Sequence, residues 1–258
     1  MDLGLEGRRA LVLGSTQGLG LAIARTLASE GASVVLTGRT ASKLEAAASA
    51  IGAEGRVRTE LLDLADPSGV DAFCGRMRDG GIDILVLNSG GPPAGPAAAV
   101  ASEVWNHQFV AMVTSPIAIA SAVLPGMRDR GFGRIVAIVS SGVQQPIPNL
   151  GISNTLRSSI IGWVKTVASE VAADGVTVNS VVPGRIHTAR VDELDAAAAQ
   201  RSGKTPDAVA TASKSTIPMG RYGDPQEFAD AVAFLVSARA SYITGTSLRV
   251  DGGMIRGI

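Results

Sequence analysis

The sequence is short of the residues that most often carry visible chemistry. It has one cysteine, Cys74, so no internal disulfide can form. Cys74 sits in an apolar helical pattern, which gives it a packing role. Two histidines, His107 and His187, leave little for a metal site, and none is expected. Only two tyrosines occur, Tyr222 and Tyr242. Net charge is also absent: 23 Lys and Arg balance 23 Asp and Glu, which argues against a nucleic-acid-binding surface. No apolar run approaches the ~18 residues of a membrane helix. The segment MDLGLEGRRA has no apolar core of a signal peptide, so a soluble, cytoplasmic chain is expected.

What is plentiful is apolar residue. At 46% hydrophobic over 258 residues, disorder is excluded and a large core is available. No linker or shift in composition divides the chain, so residues 1–258 read as one domain.

The organising stretch is Arg9 to Glu30. Ala10 to Leu13 is a short apolar run, read as a buried strand. Gly14-Ser15-Thr16-Gln17-Gly18-Leu19-Gly20 follows as a glycine-rich turn. Leu19, Ile23 and Leu27 then recur at helical spacing. Strand, glycine turn and helix make the start of a dinucleotide site. Gly14 permits the turn, Gly18 lets backbone approach a pyrophosphate, and Gly20 lets helix and strand pack closely. Amides at the helix start would hold the phosphates. The spacing is GxxxGxG rather than the commoner GxGxxG. Such a turn alone is weak evidence. Its place after the first strand, with a second strand ending near Thr37, strengthens the reading.

The pattern then repeats. Ser33–Thr37, Arg56–Leu62, Ile82–Leu87, Arg134–Val139, Val176–Val182 and Thr246–Val250 read as strands. Ser42–Ile51, Pro67–Arg78, Leu150–Val171 and Pro225–Val236 read as helices. Alternation of this kind implies an α/β fold, a doubly wound parallel sheet with helices on both faces. Ser102–Met127 reads as a long apolar helix broken by Pro116, and residues 189–216 as a mobile flap over a substrate site. At the end of the second strand an acidic residue would favour NAD. Here Thr37-Gly38-Arg39 offers none, and Arg39 either pairs with a 2′-phosphate, favouring NADP(H), or is a solvated loop residue. Asp63 either accepts from an adenine amino group or caps the helix ahead of Pro67; both can hold. Asn88-Ser89-Gly90 follows the fourth strand, where such sheets bind ligands.

These pieces together resemble the short-chain dehydrogenase/reductase family nearly end to end. The matching segments are GSTQGLG (14–20), Asp63, NSGG (88–91), GRIVAIVSS (133–141), VTVNSVVPG (176–184), GRYGDPQE (220–227) and SYITGTSLRVDGG (241–253). Within the family the chain is similar to bacterial 3-oxoacyl-acyl-carrier-protein reductases. The resemblance implies a single Rossmann domain with strand order 3-2-1-4-5-6-7, NAD(P)(H) binding, carbonyl–alcohol oxidoreduction of a small molecule, and a homotetramer. It implies cofactor contacts from Gly14, Ser15, Thr16, Gln17, Gly18, Leu19 and Gly20, from Arg39, Asp63 and Leu64, and from Asn88, Ser89 and Gly90. Arg157, Pro183, Gly184, Ile186 and Thr188 complete that set.

Carried over residue by residue, the family's catalytic set fails to match. The serine, six residues after the arginine of GRIV, falls on Ser140. The tyrosine position, thirteen further, is Ser153, and the lysine position, four beyond that, is Arg157. The family's helical asparagine falls on Met112. Ser153 and Arg157 still share a helix face. An arginine does not give up its proton at ordinary pH, and a serine hydroxyl is a much weaker acid than a phenol. Both tyrosines are expected to be structural, which leaves His187 as the local proton donor or as a plain loop histidine. His107 is expected on the surface or in packing. Two readings follow: an NADP(H)-dependent oxidoreductase with an altered proton donor, or a dinucleotide-binding protein without turnover.

Overall fold

The computed structural model describes residues 1–53, 55–78 and 80–257. Seven strands form one sheet: β1 (Arg9–Val12), β2 (Ser33–Gly38), β3 (Val57–Leu61), β4 (Ile84–Leu87), β5 (Gly133–Ile138), β6 (Val176–Pro183) and β7 (Ser247–Val250). Their order is β3-β2-β1-β4-β5-β6-β7, and every neighbouring pair is parallel. Six helices bear on this sheet directly: α1 (Gly18–Ser29), α2 (Ala41–Ile51), α3 (Pro67–Arg78), α5 (Ser115–Asp129), α6 (Gly151–Val171) and α9 (Pro225–Val236). The connections add α4 (Ser102–Phe109), α7 (Ala189–Ser202) and α8 (Pro206–Ser215).

The strands are apolar on both faces because helices cover both. Leu11, Leu13 and Val35 face one layer, built on Phe73 of α3, Ile119 of α5 and Leu156 of α6. Ala10, Val12, Val34 and Leu36 alternate to the other, built on Ile23 and Leu27 of α1, Leu44 of α2 and Phe228 of α9. Each such buried side chain contributes roughly 1.5–3 kcal/mol. Cys74 is buried in the first layer, and burial followed by the Asp71 charge pushes its thiol pKa up, so it carries little thiolate. β1 has β2 on one side and β4 on the other, so the chain reverses its winding there. A doubly wound sheet opens its ligand crevice at that point, beyond the strand carboxyl ends.

Three expectations change. Residues 102–129 are not broken at Pro116. A π-helical turn, Val110–Thr114, joins α4 to α5, and the Ser115 N–H reaches the Val110 carbonyl five residues back. Pro116 then sits in the second position of α5, directly after the widened turn, which accommodates its missing N–H. As a continuous 28-residue helical stretch this segment is long and apolar enough to cross a membrane by length and composition, contrary to the reading from apolar runs. Its apolar side chains Ile119, Val123 and Met127 are spent in the core layer against the sheet. Residues 189–216 fold as α7 and α8 packed on one another. Gly203 ends α7 in the left-handed region, while Thr205 caps the Ala208 amide and Pro206 starts α8. At the C-terminal end Ile255 packs against the chain's own core, and Ile258 lies outside the described residues.

Candidate active site

The glycine turn has the shape its sequence implied. Gly14 (φ 57°) and Gly18 (φ 56°) occupy the left-handed region. A Cβ on Gly20 would lie 2.4 Å from the Gly14 carbonyl oxygen, so only glycine lets α1 start this close to β1. Ser15 is buried beneath the turn: its hydroxyl donates to the Val12 carbonyl (2.8 Å) and accepts from the Thr37 N–H (2.9 Å). Gln17 precedes α1 without a side-chain cap, and no acidic residue occupies the first turn. The helix therefore presents uncapped amides and its positive dipole end to the space above the sheet.

That space is a cleft of about 650 Å³. Gly14, Thr16, Gln17, Gly18 and Leu19 line it, with Arg39, Asp63 and Leu64 beside them. So do Asn88, Ser89 and Gly90, and Pro183, Gly184, Ile186 and Thr188 on the far wall. Ser140, Ser153 and Arg157 complete the expected set there. Ser15 and Gly20 do not reach the cleft; they hold the turn from behind. Asp63 accepts from the Ala65 N–H (3.0 Å), and Asp66, not Asp63, directly precedes Pro67. The helix-cap alternative for Asp63 is thereby replaced by a place in the cleft wall.

One line of polar contacts ties the turn to the α6 end of the cleft. Asn88 Nδ2 donates to the carbonyls of Leu13 (3.2 Å) and Gly14 (3.0 Å). From the other side Arg157 Nη1 donates to the Ile138 carbonyl (2.8 Å), and Nη2 to those of Ser89 and Gly90 (3.4 Å each). Burial, then the nearby Arg190 charge, pushes the Arg157 pKa down to about 10, so it stays a cation at neutral pH. Ser140 Oγ accepts from the Gly142 N–H (3.1 Å), which leaves its own hydrogen free to donate into the cleft. Ser153 is 7% exposed, and among the described residues its hydroxyl has no protein partner. Met112 reaches the same cleft from the π-helical turn.

The structure sorts the histidine and tyrosine alternatives. His187 is not in the cleft wall. Ile186 and Thr188 face inward, so the residue between them in this extended stretch faces out; its side chain is 70% exposed and Nε2 lies 3.6 Å from Asp192. His107, expected on the surface or in packing, is exposed but lines the cleft together with Gln108. Tyr222 is structural, donating to Asp195 (2.7 Å), whereas Tyr242 is wholly exposed and packs on nothing. Sequence reasoning also missed Arg190 in the first turn of α7 and Met254 near the C-terminus, both in the wall. Arg190 is legible in part, since it follows Thr188 by two residues, but the local pattern does not announce a helix beginning at Ala189.

An all-parallel sheet with a glycine turn and an uncapped helix start at its switch point defines a dinucleotide-binding α/β protein. A family model described as enoyl-(acyl carrier protein) reductase matches residues 14–255. The 3-oxoacyl-[acyl-carrier-protein] reductase FabG of Vibrio cholerae is 38% identical over 256 residues, covering 98% of this chain and 99% of that protein. Among solved structures, L-sorbose reductase from Gluconobacter frateurii, complexed with NADPH and L-sorbose, superposes with a TM-score of 0.93 at 34% identity over the whole of both chains. A variant of actinorhodin polyketide ketoreductase with NADPH superposes with a TM-score of 0.90 at 30% identity, covering 96% of this chain and 97% of that one. The chain belongs to the short-chain dehydrogenase/reductase family of oxidoreductases.

Proposed function

We propose that this protein is an NADP(H)-dependent oxidoreductase interconverting a small carbonyl compound and its alcohol, with Ser140, Ser153 and Arg157 at the places of the family's serine, tyrosine and lysine. The observation that carries the reading is convergence: the uncapped start of α1, Arg39 and these three side chains share one cleft. A dinucleotide fits the residues present, because the turn is open backbone with positive helix-end charge and Arg39 stands where a 2′-phosphate would lie. The NADPH carried by the sorbose reductase and the ketoreductase supports the same preference.

When bound, the nicotinamide supplies the hydride to the carbonyl carbon. The chain's part is to hold the substrate and balance the charge left on oxygen. Ser140 donates a hydrogen bond to that oxygen, as its Gly142 contact leaves it free to do. Ser153 offers a second hydroxyl from α6. Arg157 adds a fixed positive charge that favours the developing alkoxide. Because Arg157 keeps its proton, the proton that completes the alcohol reaches the oxygen through a serine hydroxyl or water. Losing a positioned acid costs about 10²–10⁴ in rate, so slow turnover is expected.

One observation favours the second reading, a dinucleotide-binding protein without turnover: among the described residues no tyrosine or lysine lines the cleft. Incubating the purified protein with NADPH and a panel of ketones and 3-oxoacyl thioesters separates the two. Sustained NADPH loss supports the reductase. Tight NADPH binding with no loss across the panel refutes it.

A cytoplasmic homotetramer completes the proposal. Its support is the exposed apolar side chains Val104 and Phe109 on α4. Light scattering that shows a monomer at micromolar concentration would refute the tetramer.

A further inference from the structure

The cleft carries an excess of positive charge that dinucleotide binding does not use up. Arg39, Arg157, Arg185 and Arg190 line it, against the single carboxylate of Asp63. Arg39 and Asp63 lie by the ends of β2 and β3, at the adenosine side. Arg185 is neutralised by buried Asp195 (2.9 Å). Arg157 and Arg190 remain, and both grip the loop after β4. Arg157 takes the carbonyls of Ser89 and Gly90. Arg190 Nη2 donates to the Pro92 carbonyl (2.6 Å), and its Nε lies so close to Gly91 that a Cβ there would come within 2.5 Å. Two guanidiniums therefore converge on residues 89–92.

This arrangement is unfavourable as it stands. Like charges converge where burial weakens screening. Arg190 sits in the first turn of α7, where the helix dipole also opposes a cation. Its one carboxylate partner, Glu193 at 3.1 Å, is 64% exposed on the outer side and offsets little. The Arg157 carbonyl partners carry no charge. The chain as a whole carries no net charge, so this local excess is not a share of a general positive balance. An anion seated between the two guanidiniums would remove the repulsion and use the planar donor forks that remain open.

We propose that the substrate is itself an acid: a small carbonyl or alcohol compound whose carboxylate is held by Arg190, with Arg157 contributing charge, while its reacting carbon lies toward Ser140 and Ser153. The inference rests on the reductase reading for its chemistry but not for its binding, and the test separates the two. The 2-, 3- and 4-oxopentanoates are titrated calorimetrically into the protein saturated with NADP⁺, each beside its methyl ester. At least one acid should bind ten-fold or more tighter than its ester. In Arg190→Gln that margin should vanish, NADPH affinity should fall much less than acid affinity because only the Pro92 contact of the loop is lost, and Arg190→Lys should keep part of the margin. Acids that bind this way without NADPH consumption would leave the anion site standing and refute the reductase. The proposal is overturned if every ester binds as well as its acid. It is also overturned if Arg190→Gln loses NADPH affinity as steeply as acid affinity, which would assign Arg190 to the cofactor. The ester comparison uses the unaltered protein, so it holds even if a variant misfolds.

Discussion

The Tyr222 hydroxyl donates to one oxygen of Asp195 at 2.7 Å, while Arg185 donates to the other at 2.9 Å. Asp195 belongs to α7 and its side chain is only 6% exposed. Arg185 belongs to the segment after β6, and Tyr222 to the turn before α9. A buried carboxylate thus pins the 189–216 helices to the cleft wall from two directions.

Removing either partner should unpin them unequally. Tyr222→Phe loses a hydrogen bond to a charged acceptor, so about 1.5–3 kcal/mol of stability should go. Arg185→Met leaves a buried charge unpaired and should cost about 3 kcal/mol, at the low end of the buried-pair range because Arg185 itself is partly exposed. The double change Arg185→Met with Asp195→Leu should recover much of that loss. Urea unfolding of these variants and of Asp195→Leu alone checks the order; an additive double mutant would show that the pair is not coupled.

Stability in acid should depend on Glu227. The Arg221 hydrogen bond, then the Asp224 backbone N–H, hold its carboxyl down to about 2. Asp224 and Glu227 form a reciprocal capping box at the start of α9. A carboxyl whose folded pKa is depressed binds its proton more weakly when folded. Its contribution is therefore complete above the unfolded value of 4.5 and is lost as pH falls toward 2. Glu227→Gln should flatten this part of the stability profile between those limits. The group is exposed, so the change is a matter of slope in the acid limb, read by thermal melts at fixed ionic strength.

The cofactor preference makes a third test. Arg39 is exposed at the end of β2 and lines the cleft, with no acidic residue at Thr37 to hold a free ribose. Arg39→Ala should weaken NADPH by the roughly 1.5–3 kcal/mol of a charge-assisted bond, about 10- to 100-fold, and leave NADH nearly unchanged. Calorimetry with both cofactors decides it. Equal or tighter NAD(H) binding by the unaltered protein would overturn the preference.

The sheet was readable because its strands are short apolar runs between helical periods, a pattern that burial on both faces enforces. The glycine turn was readable because Gly14, Gly18 and Gly20 each answer a backbone constraint that no other residue meets. Local pattern gave out where tertiary context decides. Pro116 looks like a break, yet a widened turn ahead of it absorbs the missing N–H. His187 could not be sorted, since which side of an extended segment faces the cleft depends on the strand that feeds it, and His107 could not because the placement of α4 against the cleft is set by tertiary packing. Residues 189–216 look like a loop because α7 and α8 are polar and alanine-rich, with few buried side chains to set a period. Arg190 went unread for the same reason.

The last expectation tests the proposal that Ser153 and Arg157 on α6 stand at the family's tyrosine and lysine positions. Ser153 and Arg157 lie one turn apart in the cleft wall. Ser153→Ala should change little if a water carries the proton. Arg157→Ala removes three donated hydrogen bonds to the Ile138, Ser89 and Gly90 carbonyls, so it should loosen the loop after β4 and weaken cofactor binding together. The double change Ser153→Tyr with Arg157→Lys places a phenol and an ammonium where that proposal puts the family's pair. The lysine should still reach one of those carbonyls, and its charge, beside Arg190, lowers the phenol's pKa. A positioned general acid supplies about 10²–10⁴, so ketone reduction should rise at least 10²-fold with NADPH affinity kept. No rise would locate the block at Met112 in the π-helical turn, the residue proposed to stand at the family's asparagine position. Adding Met112→Asn to the double variant should then release it. A starting protein that already turns over at the rate of the triple variant would show that Ser153, His107 or water carries the proton unaided.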